Sequence, residues 1–214
     1  MDTVVELYTS QGCSSCPPAD ALMGDIVNTA NKTNVLGLSF AVTYWDYIGW
    51  KDTFGSPQND LRQTQYKERL RTSYVYTPQM IVGGKDHFVG SSSDQLSHNL
   101  AVYKGHARQL PLKWKLQDDV LEIALPSWQT PSIIWQTDLN HAEKVSIGRG
   151  ENTGRKITYH NVVRKLDSLA NWDGKPKTLK LSLKSLREKG RDSCAILVQE
   201  NGYGSIVAAL FIQL

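Results

Sequence analysis

The first thirty residues place two cysteines at the junction between a predicted strand and a predicted helix. Residues 4–9 form a short run that favours β structure, and Cys13 and Cys16 follow with the spacing C-x-x-C. Pro17 and Pro18 come next, and proline is tolerated in the first helical turn because no amide donor is needed there. Apolar residues then recur at helical spacing, at Ala21, Leu22, Ile26 and Val27. The sequence therefore predicts a strand, a cysteine pair and a helix in direct succession.

A cysteine pair in this position is compatible with three roles. At a helix N-terminus, unpaired amides and the helix dipole stabilise a thiolate, which makes Cys13 the natural nucleophile of a redox pair. Cys16 lies close enough to attack a mixed disulfide on Cys13. Two thiolates also suit a soft metal such as Cu(I) or zinc, and a disulfide can simply hold a loop. The residues alone favour redox exchange and leave the other two roles open.

The remainder of the first half alternates strands and helices. Residues 35–43 form a near-continuous apolar run that predicts a buried strand. Residues 56–71 carry the start and stop signals of a helix, with a serine followed by proline and a basic last turn. Two short strands joined by Gly83 and Gly84 follow, and then a helix that ends near Tyr103. Residues 1–108 are therefore predicted to form an α/β unit of order βαβαββα.

The second half has a different pattern. Helical spacing nearly disappears after Gly105, and about eight short β-favouring runs recur between turn signals. Many short strands with regular turns are typical of a β-sandwich. Residues 109–214 are predicted to form an all-β, sandwich-like domain, with the boundary near residues 109–111.

A second signal supports the redox role. Thr77 and Pro78 stand directly before the predicted third strand. Thioredoxin-like proteins have a cis-proline loop at this point, which packs against the cysteine pair and receives the extended chain of a substrate. The first half of this chain resembles such a thioredoxin-like domain. The residues around the pair are similar to those of glutaredoxins, at Tyr8, Thr9, Gly12, Cys13 and Cys16.

A closer resemblance covers nearly the whole chain. The segments VELYTSQGCSSCPPAD, AVTYWDYIGWKDTFGSP, VYTPQMIVGG and GRGENTGRKITYHNVVR resemble those of a bacterial family of unknown function, whose members are often secreted. That family couples a thioredoxin-like domain to a β-rich domain. The resemblance implies a periplasmic or secreted protein, although the chain as given has no signal peptide. Gly12 stands where thioredoxins commonly have tryptophan, and the dipeptide Ser14-Ser15 leaves the redox potential open.

Four further residues are candidates for the site. Trp45 and Asp46 follow the second strand at its carboxyl end, the edge where ligands bind in open α/β sheets. Glu6 lies on the strand that leads into the pair and is a candidate proton acceptor for the resolving cysteine. His160 lies on a predicted strand and is a candidate to face the pair from the second half, although a structural role is the simpler interpretation. Cys194, in an apolar run, is predicted to be a buried, inert thiol.

The composition of the chain limits the classes of partner that we expect. The 24 Lys and Arg residues against 21 Asp and Glu residues give a net charge of +3 with no long basic run, so no nucleic-acid partner is expected. No run approaches the roughly 20 apolar residues of a membrane helix. We predict no cofactor and no resident metal, and a protein or small-molecule thiol or disulfide as substrate. The alternatives from other classes are a soft-metal carrier and a non-catalytic peptide-binding module.

The junction between the two halves predicts a packed interface. Residues 102–113 are short and poor in glycine and serine, unlike a flexible linker. The aromatic segment 44–50 and the segment 148–160 are the candidates for the two sides of this interface. Residues 148–155 are rich in glycine, but they lack the ending of a phosphate-binding loop and lie between predicted strands. A structural loop is therefore the favoured interpretation of this segment.

Overall fold

A computed structural model describes all residues, 1–214. The first half contains strands β1 (Thr3–Thr9), β2 (Val35–Ala41), β3 (Gln79–Val82) and β4 (Asp86–Val89), and helices α1 (Pro17–Asn28), α2 (Ala30–Thr33), α3 (Pro57–Leu70) and α4 (Ser93–Val102). The second half contains strands β5 (Lys113–Gln117), β6 (Val120–Leu125), β7 (Ser132–Ser146), β8 (Lys156–Trp172), β9 (Lys177–Ser182), β10 (Ser193–Glu200) and β11 (Ile206–Gln213), with one short helix, α5 (Lys184–Glu188). None of the helices has the length and apolar character needed to span a membrane.

Local signals in the sequence explain where several elements begin and end. Ser56 caps α3, because its hydroxyl accepts a hydrogen bond from the amide of Gln58 at 3.2 Å, and Pro57 occupies the first helical position. Gly83 and Gly84 join β3 to β4 with φ angles of 60° and 69°. Two consecutive positive φ angles are typical of the tight hairpin turns that favour glycine. The predicted helix start and the predicted hairpin are thus both present.

One sheet runs through both halves of the chain. Its strand order is β11-β10-β7-β8-β2-β1-β3-β4, and a second sheet has the order β5-β6-β9. Strand β8 lies parallel to β2 with Ser39 opposite Val162, and the Ser39 hydroxyl donates a hydrogen bond to the carbonyl of His160 at 2.7 Å. The large sheet therefore crosses the position between residues 108 and 109 where the sequence predicts a domain boundary.

The second half differs from the predicted pattern in two places. Strand β7 is one continuous strand of 15 residues, where the sequence pattern predicts short strands separated by turns. The polar residues in the middle of β7 stay in the sheet because β7 pairs with β8 along nearly its whole length, with register shifts between Ile134 and Trp135 and between Asp138 and Leu139. Helix α5 was not predicted. The chain is a mixed α/β protein with one large sheet and five helices, and the thioredoxin-like and sandwich-like assignments of its parts stay predictions.

The apolar core also joins the two halves. One buried cluster combines Tyr8, Phe40 and Tyr66 of the first half with Leu139 and Leu197 of the second. A second cluster fills the space between the two sheets, and a third lies between the large sheet and helices α1 and α4. The faces of the large sheet are thus covered by elements from both parts of the sequence.

A buried ion pair lies within the first of these clusters. The Arg62 guanidinium donates to both carboxylate oxygens of Glu6, from Nε at 2.9 Å and from Nη2 at 2.7 Å. The hydroxyls of Tyr8 and Tyr66 donate to the same carboxylate, and Gln199 accepts a bond from Arg62 at 3.1 Å. Four aromatic rings lie within 5.6 Å of the guanidinium carbon, those of Phe40, Tyr66, Trp135 and Tyr203. This network connects β1 and α3 to strands β7 and β10.

Candidate functional site

Cys13 and Cys16 form a disulfide in the turn between β1 and α1. Their Cα atoms are 5.4 Å apart, and Cys16 is the residue immediately before the helix. The turn is closed by two backbone hydrogen bonds, from the amide of Cys13 to the carbonyl of Ser10 and from the amide of Cys16 to the carbonyl of Cys13, both at 3.2 Å. The local sequence therefore places both sulfur atoms at the positive end of α1.

Thr77 lies against the Cys13 sulfur, and two further predicted site residues, Pro78 and Trp45, adjoin Thr77. The Thr77 carbonyl oxygen is 3.9 Å from the Cys13 Sγ atom, and Thr77 precedes Pro78 through a cis peptide bond. The indole Nε1–H of Trp45 donates to the Thr77 hydroxyl at 2.8 Å and so holds this residue in place. The Ser15 hydroxyl lies 3.3 Å from the same sulfur atom. A sulfur atom in a disulfide has no hydrogen, so the hydroxyl is the donor in this contact.

Both cysteines are shielded from solvent. Cys13 is 1% exposed and Cys16 is fully buried, whereas Ser14 and Ser15 between them are exposed. A thiol that attacks the disulfide therefore has to displace part of the structure that covers it. This burial is the observation that favours a purely structural disulfide.

A loop from the second half of the chain covers the cysteine turn. Residues 147–155 connect β7 to β8, and the Asn152 side-chain amide donates to the carbonyls of Gln11 at 3.0 Å and Cys13 at 2.8 Å. The neighbouring Glu151 accepts a hydrogen bond from the amide of Ser14 at 2.9 Å. These three bonds hold Gln11, Cys13 and Ser14 of the cysteine turn from outside. Sequence reasoning missed both side chains, because they lie more than 130 residues from the pair.

The same loop packs on the aromatic segment that follows β2. A Cβ atom on Gly148 would lie 3.1 Å from the Trp50 ring, and one on Gly150 would lie 3.0 Å from Ile48. Trp50 also donates from its indole nitrogen to the Gln11 side chain at 2.8 Å. The predicted interface between these two segments is confirmed, and glycine allows the loop to approach Trp50 and Ile48 closely.

We expect Asn152→Ala to weaken the hold of the loop on the cysteine turn. Asn152 is 1% exposed, and its loss leaves the Gln11 carbonyl without this partner and the Cys13 carbonyl with only the amide of Cys16. We expect the free energy of unfolding to fall by about 1–3 kcal/mol. The native disulfide should then react with dithiothreitol about tenfold faster than in the wild type. Thiol labelling measures the rate of reduction, and urea denaturation measures the free energy of unfolding.

Asn171→Ala, at an exposed position of β8, is the control. An unchanged reduction rate would show that the loop does not limit access.

A buried carboxyl group lies one turn into α1 from the disulfide. Asp20 is 2% exposed, and its Oδ1 atom accepts a hydrogen bond from the Thr9 hydroxyl at 2.7 Å, while Oδ2 has no partner. Burial raises the pKa of Asp20 to about 8, the Thr9 hydrogen bond opposes this shift, and the nearby Asp52 adds to it. Because Asp20 follows Cys16 by four residues, both lie on the same buried face of the helix. That helical spacing was the signal in the sequence that could have identified it.

A second buried carboxyl group holds the turn from the other side. Asp52 accepts hydrogen bonds from the amides of Gln11 at 2.8 Å and Phe54 at 2.9 Å. Burial raises its pKa to about 6, against the effect of these bonds. Its own amide donates to the carboxylate of Asp46 at 3.0 Å. The predicted site residue Asp46 thus positions the loop that carries Asp52 and makes no contact with either cysteine among its hydrogen bonds.

Glu6 and His160 lie away from the disulfide. Glu6 is occupied by the hydrogen bonds of Arg62 and the two tyrosines, so its carboxylate faces the core network. The His160 ring packs on Gly24, where a Cβ atom would lie 3.0 Å from it, about two turns of α1 beyond Cys16. Burial, and then the neighbouring His141, lower the pKa of His160. The structure does not bring these two predicted accessory residues to the cysteine pair.

Other thiol and metal-binding groups add nothing to this site. Cys194 is fully buried on β10, and burial raises the pKa of its thiol to about 12, as expected for an inert side chain. No group of three or more His, Cys, Asp or Glu side chains is arranged to hold a metal ion. The groups that the structure places at the candidate site are the disulfide, the backbone around it and the two buried carboxyl groups.

Comparison with known proteins finds solved structures that are similar over both halves of the chain. A protein of Agrobacterium tumefaciens, AGR_C_4864, has a crystal structure that is similar over 99% of this chain and 93% of its own, with 32% sequence identity and a TM-score of 0.84. HBP35 of Porphyromonas gingivalis is similar over 100% of this chain and 75% of its own, with 13% identity and a TM-score of 0.61, which is a likeness of fold alone. No curated protein matches. Residues 4–199 match the family described as "Protein of unknown function (DUF1223)", and the chain therefore belongs to the DUF1223 family.

Proposed function

We propose that this protein is a thiol–disulfide oxidoreductase in which Cys13 exchanges with the substrate and Cys16 is the resolving cysteine. The observation that carries the proposal is the position of the disulfide at the start of α1, with the Thr77 carbonyl 3.9 Å from the Cys13 sulfur. The proposal includes the thioredoxin-like character of the first half and a periplasmic or secreted location. It also includes Thr77 and Pro78 as the residues that receive the substrate chain.

The exchange reaction can be written with the groups that are present. A substrate thiolate attacks the Cys13 sulfur, the Cys13–Cys16 bond breaks, and Cys16 leaves with the electron pair and takes up a proton. A second substrate thiol, as its thiolate, then attacks the substrate sulfur of the mixed disulfide, which forms the substrate disulfide, breaks the bond to Cys13 and releases Cys13 as a thiolate. The substrate dithiol is oxidised by two electrons and the cysteine pair is reduced. The reverse sequence reduces a substrate disulfide.

The surroundings of the pair suit these two steps. The positive end of α1 favours the Cys13 thiolate over the thiol. The Asp20 carboxyl group, with a pKa of about 8 and lying one turn beyond Cys16, can give the proton that Cys16 takes up and accept it again in the reverse direction. We therefore assign to Asp20 the role of proton acceptor for the resolving cysteine, for which Glu6 was the candidate from the sequence. With this pKa the carboxyl group is mostly protonated at neutral pH and loses its proton within about one pH unit, so it can serve both directions.

The proposal is tested by trapping the mixed disulfide. In Cys16→Ser, reduced Cys13 should form a stable adduct with a disulfide substrate such as insulin, which mass spectrometry locates at Cys13. Cys13→Ser should form no adduct, and both variants should lose catalysed insulin reduction by at least 100-fold, since each lacks one half of the exchange. Cys194→Ser, which removes the remaining thiol, should stay within about twofold of the wild type.

The second candidate is a disulfide with a structural role only. The burial of both sulfur atoms favours it, because thiol–disulfide exchange needs access to a sulfur. It predicts a disulfide that resists dithiothreitol as long as the protein is folded, and no adduct in Cys16→Ser. Such resistance would rule out the oxidoreductase proposal directly.

A further inference from the structure

Glu151 stands beside the disulfide without taking part in the proposed exchange. Its carboxylate is exposed, and the Oε2 atom accepts a hydrogen bond from the amide of Ser14, the residue that directly follows Cys13. Ser14 and Ser15 are the exposed part of the cysteine turn. A negative charge from the second half of the chain therefore lies on the open side of the pair.

This charge is fixed in place rather than carried on a free side chain. The adjacent Asn152 is buried and fastens the loop to the carbonyls of Gln11 and Cys13. Hydrogen bonds from Ser14, from its side chain first and then from its backbone amide, lower the pKa of Glu151 from its ordinary value. The carboxylate is thus ionised at neutral pH and held next to the residue that follows Cys13.

We infer that Glu151 determines the charge selectivity of the exchange, favouring thiols with a positive group near the sulfur and disfavouring anionic thiols. In a polypeptide substrate, the favoured cysteine would have a lysine or arginine beside it. The inference rests on the proposed function, because it concerns which thiols reach Cys13. Glu151 touches no reacting atom and acts only through the electric field along the approach to Cys13.

The size of the effect follows from Coulomb's law. At a separation of roughly 6 Å in a water-like dielectric, one unit charge changes a rate about threefold. A cationic and an anionic thiol differ by two units, so the ratio of their rate constants should change about tenfold when the charge of Glu151 is removed. Since exposed charges are screened by salt, the effect should shrink strongly between about 0.01 and 1 M ionic strength.

Other charges on the same loop do not alter the sign of this change. Arg155 donates to the Asn152 side chain at 3.1 Å, and Arg149 lies two residues before Glu151. Both cations favour anionic thiols, but their effect on a given thiol is the same in the wild type and in Glu151→Gln. A comparison of thiols before and after substitution of Glu151 isolates the contribution of its carboxylate.

The test is the single-turnover reduction of the native disulfide by three small thiols. Cysteamine is cationic, 2-mercaptoethanol is neutral and mercaptoacetate is anionic, and each rate is expressed per thiolate. Glu151→Gln keeps an oxygen that can accept the Ser14 hydrogen bond but removes the charge. Glu188→Gln, at an exposed position of α5, is the matched control. We expect the ratio of the cysteamine rate to the mercaptoacetate rate to fall about tenfold in Glu151→Gln at low salt and to stay unchanged in Glu188→Gln.

The other outcomes separate this inference from the proposed function. Equal acceleration of all three thiols in Glu151→Gln would show that the side chain only fastens the loop, and would overturn the inference. An unchanged ratio with normal reduction would overturn it as well, while the oxidoreductase proposal would stand. If no thiol reduces the disulfide in any folded variant, the proposed function is wrong and the inference falls with it.

Discussion

Arg62→Met is expected to lower the free energy of unfolding by about 3–5 kcal/mol. The substitution leaves the Glu6 carboxylate inside the core without its cation, and an unpaired buried charge is strongly destabilising. It also removes the interactions of the guanidinium with four aromatic rings from both halves of the chain. Urea denaturation followed by tryptophan fluorescence measures the change.

Two further variants separate the buried charge from the general loss of packing. Arg69→Met removes an exposed cation from the same helix and should change stability by less than about 0.5 kcal/mol. In the double variant Arg62→Met with Glu6→Gln the uncompensated charge is absent, so it should be more stable than Arg62→Met alone. A loss below about 1 kcal/mol in Arg62→Met would contradict the role we give to this pair.

Asp20→Asn is expected to stabilise the oxidised protein while it slows catalysis. The pKa of Asp20 is about 8 in the folded protein against an ordinary value of 3.8, so the folded state binds the proton more tightly than the unfolded state. At pH 7 the wild-type chain gives up this proton on unfolding, which weakens the fold by about 4 kcal/mol relative to low pH. Asparagine keeps the oxygen that accepts the Thr9 hydrogen bond and has no proton to lose.

The raised pKa of Asp20 determines the direction in which stability changes with pH. Between about pH 4 and pH 8 the folded protein holds the Asp20 proton and the unfolded chain does not, so the contribution of Asp20 to wild-type stability falls as the pH rises and levels off above pH 8. Urea denaturation from pH 5 to pH 9 should show this slope in the wild type and a flatter profile in Asp20→Asn. Turnover should fall on the order of tenfold to 100-fold at neutral pH.

Asp25→Asn is the control for this substitution, because Asp25 lies on the same helix and is exposed. It should change neither the pH slope nor the turnover. If Asp20→Asn has the same stability profile as the wild type, then the carboxyl group is already ionised in the folded protein. In that case Asp20 is no proton donor for Cys16.

Features set by neighbouring residues could be predicted from the sequence. The start of α3 at Ser56 and Pro57, and the hairpin at Gly83 and Gly84, depend on dihedral preferences and hydrogen bonds within four residues. The position of the cysteine pair before α1 follows from the prolines after it in the same way. Such rules act within one element and need no knowledge of its partners.

Features set by distant partners could not be predicted in this way. The Glu6 side chain was a candidate proton acceptor until its partner Arg62, 56 residues away, was known. Asn152 reaches Cys13 across 139 residues, and the polar stretch in the middle of β7 remains a strand only because β8 pairs with it. Sequence periodicity shows which face of an element is apolar, but it does not show which element covers that face.

The junction of β2 with β8 affects how the chain folds during synthesis. The Ser39 hydroxyl and the His160 carbonyl that it binds are 121 residues apart, so β2 is made long before the strand that covers its edge. At 5–20 residues per second this interval lasts roughly 6–25 s. All seven residues of β2 are buried in the finished protein. While this edge is open it can pair with other chains, so the emerging first half is a natural client for a chaperone until β8 arrives.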